Sequence, residues 1–213
     1  METRWDGMKV QNGLSRRDTA LIATFGALWG LMEITVGVTL KGLRIPMGGA
    51  ILTALAVIIF TTGRYFVPRK GSVLMMGAVA AILKIFSVGT VIAGPFMAIV
   101  LEALFGEILL SLLGRHLLSY ILTGVILLLY SMVHPFISQG IVFGANIYKI
   151  YMDSFTRVAE LLHIPARHLL WIIALYAGVH ALLGATAGWI GYLLPRRAEY
   201  EYAQLKQNSG EQP

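Results

Sequence analysis

Residues Thr19 to Leu40, TALIATFGALWGLMEITVGVTL, form an apolar run interrupted by one acid, Glu33. At about 22 residues it is long enough to cross a hydrocarbon core of about 30 Å as a helix. It is too long for a signal-peptide core and has no small-residue cleavage site at its end, so it is expected to be retained. Ala23 and Ala27 fall one turn apart, with Gly26, Gly30 and Gly37 close to the same line. A smooth stripe of this kind lets another helix backbone approach closely. Glu33 lies at its edge.

Comparable runs follow through most of the chain. Of 213 residues, 57% are hydrophobic and 13% charged, and the mean hydropathy is +0.72. A soluble domain of this size has too little interior for so much apolar surface, which implies an all-α, polytopic membrane protein. The net charge of +6 does not point to nucleic acid, because Lys and Arg lie mostly in loops and tails, where they set topology and meet lipid headgroups. The absence of cysteine excludes disulfides and thiol chemistry.

The pattern predicts six spanning helices within residues 19–194, between polar tails at 1–18 and 195–213. The first is Thr19–Leu40. The second starts at Pro46, which suits a first helical turn, and reaches about Gly63. The third runs from Gly71 to about Ile92 and the fourth from Pro95 to Leu113. The fifth starts at Leu117 and meets His134-Pro135 before continuing toward Tyr148, either as one kinked helix or as two segments. Asp153–His163 has Phe155, Val158, Leu161 and Leu162 on one side and is too polar to span. It reads as an outer interfacial cap within 150–165. The sixth helix runs from His168 to Leu194 and ends at Pro195-Arg196-Arg197. Arg4, Lys9, Arg16, Arg17, Arg64, Arg69, Lys70, Arg115, Arg196, Arg197 and Lys206 fall on one side of this arrangement. Only Lys41, Arg44, Lys149, Arg157 and Arg167 fall on the other. The positive-inside rule then makes both termini cytoplasmic.

Four ionisable groups lie inside spans, where each costs roughly 2.5–3.5 kcal/mol at mid-helix unless paired or wetted. At 1.5 Å per residue, Glu33, Lys84 and Glu102 share a layer slightly to the outer side of the midplane, and Glu107 lies to the inner side. The short connection between the third and fourth helices makes Lys84–Glu102 the natural ion pair. That pair either joins helices or contacts a solute. Glu107 is assigned to packing or a partner contact. His134, Gln139 and Asn146 after the kink of the fifth helix, and Trp171, Tyr176 and His180 on the last helix, add polar and aromatic groups to the outer half. There is no GxxxxGK[ST], no HExxH and no GxSxG, and the five histidines are dispersed. Neither a nucleotide site nor a metal site nor a cofactor is expected, and no catalytic residue is assigned.

A chain of this length, with six helices, both termini inside and the motif Ala23-Thr24-Phe25-Gly26-Ala27 on its first helix, resembles the substrate-binding (S) component of an energy-coupling factor (ECF) vitamin transporter. The resemblance implies a plasma-membrane, prokaryotic transport subunit that is not itself an enzyme. Its partners would be a transmembrane T component, meeting Ala23, Gly26, Ala27 and Gly30, and two cytoplasmic ATPases. A small solute would bind in the outer half among Glu33, Lys84, Glu102, His134, Gln139, Asn146, Trp171, Tyr176 and His180. Two other classes stay open on the residues alone, a non-catalytic membrane assembly subunit and a small intramembrane enzyme using the carboxylates as acid and base.

Overall fold

The structure, a computed structural model, describes residues 14–86, 93–161 and 166–208. Within these the chain is all helical: α1 (Arg16–Gly42), α2 (Gly48–Phe66), α3 (Ser72–Ile85), α4 (Ala93–Leu113), α5 (Leu117–Phe143), α6 (Asn146–Leu161) and α7 (Ala166–Asn208). Five of them, α1, α2, α4, α5 and α7, are long and apolar enough to cross a membrane. The sixth expected span, α3, has 14 described residues, about 21 Å of helix. Its expected continuation to Ile92 lies outside the described residues.

Large apolar side chains such as Leu31, Ile82, Leu112, Ile126 and Leu182 face outward, while Glu33, Lys84, Arg64, Glu102 and Glu107 are buried. A lipid-facing exterior around a polar-containing interior is the pattern of a membrane bundle.

Local chemistry explains the helix limits. Ser15 and Asp18 form a reciprocal capping box at the start of α1, satisfying amide donors that the first turn would leave free. Gly144, at φ 76°, takes the left-handed turn between α5 and α6 that other residues resist. α5 does not break at Pro135 but runs through it to Phe143. Tyr148 folds back from α6, over the flat surface at Gly140, and donates to the Phe136 carbonyl at 3.2 Å. Asn146 therefore begins α6 and is not part of the fifth helix.

The last helix also differs from the expectation. Pro195 does not end α7, which continues to Asn208, so the stretch expected as a polar tail is largely helical. Contacts with α2 hold the extension. Tyr65 donates to Glu199 at 2.7 Å, and the Arg196 guanidinium sits 3.5 Å from the Tyr192 ring centroid and 5.0 Å from that of Tyr65.

The closest packing is between α5 and α7. A methyl group on Gly184 would sit 2.8 Å from Val125 Cα, and one on Gly188 would sit 2.9 Å from Ile121 Cα. α1 also lies close on α3, where methyls on Gly26 and Gly30 would meet Val79 and Leu83 at 2.7 and 2.9 Å. Gly26 and Gly30 are therefore internal packing residues, whereas Ala23 and Ala27 are exposed. The single stripe read from the sequence divides between two faces.

The two ends of the bundle are distinct. Asp18, at the start of α1, pairs with Arg69 at 3.0 Å, and Arg115 and Arg196 both lie over Tyr65. The start of α1 and the end of α7 are thus at one end. The C-terminal halves of α1 and α5 and the N-terminal parts of α2 and α4 meet at the other.

A cavity between four helices as candidate functional site

A cavity of about 320 Å³ opens at the end opposite the termini, among α1, α2, α4 and α5. Glu33, Thr53, Glu102, His134 and Gln139 line it together with Leu52, Pro95, Ala98, Ser131, Pro135 and Ser138, and Lys41 stands at its rim. The helix periodicity explains the convergence. Glu33 follows Trp29 and Gly30 on the buried face of α1, and Glu102 shares the buried face of α4 with Ile99 and Ala103. Each acid is carried inward by the same 3.6-residue repeat that buries its apolar neighbours.

The expected Lys84–Glu102 pair does not form. Lys84 reaches α1 instead, with Nζ 3.3 Å from Glu33 Oε2 and donating at 2.7 Å to the Glu33 backbone carbonyl. Gly37 leaves room beside this pair, since a methyl there would lie 3.5 Å from Lys84 Nζ and 3.7 Å from Glu33 Oε2. Glu102 is 5% exposed, and its Oε1 accepts a 2.6 Å hydrogen bond from Thr53. Among the described residues, no Lys, Arg or His nitrogen lies within ion-pair distance of Glu102.

His134 spans the gap between α5 and α4. Its Nε2 lies 3.1 Å from the Gly94 carbonyl oxygen and its Nδ1 lies 2.6 Å from the Tyr130 hydroxyl. A carbonyl can only accept, so Nε2 carries the hydrogen, and in the neutral ring Nδ1 accepts from Tyr130. This bridge fixes the α5 wall of the cavity just before Pro135. Proline has no N–H for the Ser131 carbonyl one turn earlier, which leaves that acceptor free of its usual helical partner.

Of the residues singled out from the sequence, Glu33, Glu102, His134 and Gln139 line the cavity, and Lys84 touches it only through Glu33. Asn146, Trp171 and Tyr176 are exposed on α6 and α7, away from the cavity. His180 is buried, donating through Nδ1 to the Tyr176 carbonyl at 2.9 Å, as a packed core histidine does. Thr53, Ser131 and Ser138 were not singled out. Only Thr53 gives a retrospective signal, as a hydroxyl near the start of an apolar helix at the same depth as the acids.

Below the cavity the bundle is sealed. Trp29, Phe60, Met76 and Ala103 are fully buried, and the Trp29 and Phe60 rings lie 5.6 Å apart. Beyond this apolar septum is a second ionic cluster. Arg64 lies in the last turn of α2 and is buried, not in a charged loop as expected. Its Nη1 is 3.2 Å from Glu107 Oε1, and its two terminal nitrogens also donate to Ser72 Oγ and Ser111 Oγ at 3.0 Å. It bonds the Arg69 carbonyl as well. Glu107 further accepts from the Val73 amide at 3.0 Å and from Ser111 Oγ at 2.6 Å. The site therefore consists of a mostly apolar pocket carrying a few buried polar groups, an apolar floor and an ionic lock beneath the floor.

Comparison with protein-family models, with curated proteins and with solved structures finds no match, so the chemistry of the cavity rests on its own residues.

Proposed function

We propose that this chain is the solute-binding subunit of an ECF-type importer, taking up a small vitamin-like compound with a T component and two ATPases supplied as separate chains. The observation that carries the reading is the cavity itself. It lies within the spanning bundle and has a mostly apolar lining into which Glu33, Thr53, Glu102 and His134 bring buried polar groups, over an apolar floor. A pocket backed by a packed apolar floor can hold a solute, and its release to the far side would need movement driven from outside.

Counting α3 as a span gives six helices and puts both termini on one side. Arg16, Arg17, Arg69, Lys70, Arg115, Arg196 and Arg197 gather there, which makes that side cytoplasmic and turns the cavity outward. The chain carries no P-loop, in keeping with ATP hydrolysis in trans. Ala23 and Ala27, exposed near the cytoplasmic end of α1, offer a smooth contact for a T component.

Native mass spectrometry of the gently extracted protein tests the reading. A small molecule retained by the wild type and lost from Ala98→Phe, which fills the cavity, is the expected result. Repeatedly empty wild-type protein overturns it. Affinity capture from the native membrane tests the partners: co-purification of two ATPases and a T component is expected, and capture without any ATPase overturns the ECF assignment.

A further inference from the structure

We propose that the cavity takes a compact cation, a protonated amine carried on a small apolar body, with Glu102 as its counter-ion. This rests on the solute-binding reading and narrows it to a substrate class.

The charges around the cavity do not balance. Glu33 and Glu102 both line it, but the one ammonium in their layer, Lys84, is committed to the Glu33 carboxylate and to the Glu33 carbonyl. Lys84 presents nothing to the cavity that could hold an anion. Glu102 has the Thr53 hydroxyl and no cation among the described residues. Lys41 is exposed on the last turn of α1, two turns beyond Glu33, which is about 12 Å along the helix axis. It marks the mouth and leaves the deep end with a buried carboxyl, Glu102, that has no cation beside it to hold its charge, which an incoming ammonium would supply.

The hydrogen-bond inventory points the same way. Thr53 donates to Glu102, Ser131 to the Leu128 carbonyl at 2.7 Å and Ser138 to the Pro135 carbonyl at 3.2 Å. The His134 ring uses Nε2–H on Gly94 and Nδ1 on Tyr130. The donors of these four side chains are spent, while the carboxylate and hydroxyl oxygens keep lone pairs to offer, and the Gln139 amide, which both donates and accepts, favours neither sign of charge. A ligand that brings N–H donors and a positive charge complements such a lining, whereas a carboxylate or phosphate would meet mostly acceptors and no cation at the deep end. Leu52, Pro95 and Ala98 supply apolar surface for the rest of the ligand.

The test uses the full chain in lipid nanodiscs at neutral pH and three probes of matched shape: benzylammonium, benzyl alcohol and benzoate. Equilibrium binding to the wild type is expected to favour benzylammonium over both others by about tenfold or more. Glu102→Gln is expected to abolish that preference, bringing benzylammonium binding down to the level of benzyl alcohol. Ala98→Phe controls for partition into lipid and is expected to lose the binding of all three. Equal binding of the three probes, preference for benzoate, or no binding at all overturns the amine assignment, and the wild-type ranking decides this even where Glu102→Gln fails to fold. The solute-binding reading is judged separately, by the molecule retained in native mass spectrometry. A retained anionic or neutral molecule overturns the amine class and leaves that reading intact.

Discussion

Lys84 on α3 binds Glu33 on α1 twice, through the carboxylate at 3.3 Å and through the backbone carbonyl at 2.7 Å. The second bond matters because a helix carbonyl is a fixed point. It holds the ammonium against α1 whatever the Glu33 side chain does, and so keeps Lys84 from turning toward Glu102. The pair separates one compensated carboxylate from one uncompensated carboxylate within a single cavity.

Removing one partner of a buried pair leaves the other charge without compensation, which typically costs 3–5 kcal/mol. Lys84→Met is therefore expected to destabilise the protein by about 3–5 kcal/mol. The double variant Lys84→Met/Glu33→Gln is expected to recover most of the loss. Thermal unfolding of the four proteins in one detergent, treated as a double-mutant cycle, measures the coupling. Additive losses would show that the two side chains do not act as a pair.

Glu102→Gln has the opposite expectation. With no cation beside it, the carboxyl contributes little attraction to lose, and an amide still accepts from Thr53. The variant should stay within about 1 kcal/mol of the wild type in the absence of solute. An unfolding midpoint several degrees below wild type would mean that Glu102 has a structural partner.

Arg64 holds the ionic lock beneath the apolar floor through several bonds from one planar fork. Arg64→Lys keeps the charge but cannot reproduce that geometry. It is expected to lose about 2 kcal/mol or more, and Arg64→Met more still. Unfolding of both variants in a denaturing detergent series tests the order. Equal stability of Arg64→Lys and wild type would reduce the cluster to simple charge balance.

At the α5–α7 contact, Gly184→Leu cannot be accommodated without moving the helices apart, because the facing surface is backbone. A loss of at least 1–3 kcal/mol is expected, as for overpacking generally. Gly178→Leu, where a methyl meets nothing within 4 Å, is the control and should be nearly neutral. Thermal stability and protease sensitivity compare the two.

The His134 bridge is open to spectroscopy. Nitrogen-15 shifts of the imidazole are expected to report the Nε2–H tautomer in the wild type. Tyr130→Phe removes the hydroxyl at Nδ1 and is expected to cost about 1 kcal/mol while broadening or shifting those signals. An Nδ1–H ring in the wild type would contradict the Gly94 contact.

Much of this was legible in the residues. Thr19–Leu40 as a helix, the turn before α2 and an amphipathic segment between the last two long helices follow from apolar runs and their punctuation, although α4 already begins at Ala93 and α6 at Asn146. The GxxxG spacing of Gly184 and Gly188 carried a packing signal as clear as that of Gly26 and Gly30. Proline gave the misleading signals. At Pro135 and Pro195 local chemistry argues for an end, but Tyr148 closes over Gly140 in one case, and Tyr65, Arg196 and Tyr192 pack together in the other. Such contacts come from residues distant in sequence and outweigh one lost helical hydrogen bond.

The sequence by itself determined the class of the protein, the order of its helices and the depth of its charges. Depth is one-dimensional: a rise of 1.5 Å per residue put Glu33, Lys84 and Glu102 in one layer before any neighbour was known. Only the tertiary structure decided which of them meet. Lys84 faces both possible partners across helix contacts, since α3 packs against α1 as well as α4. The choice of Glu33 depends on the rotation of each helix about its own axis. That rotation is set by close contacts such as Gly26 and Gly30 against Val79 and Leu83, where small differences in side-chain volume fix which atoms can approach.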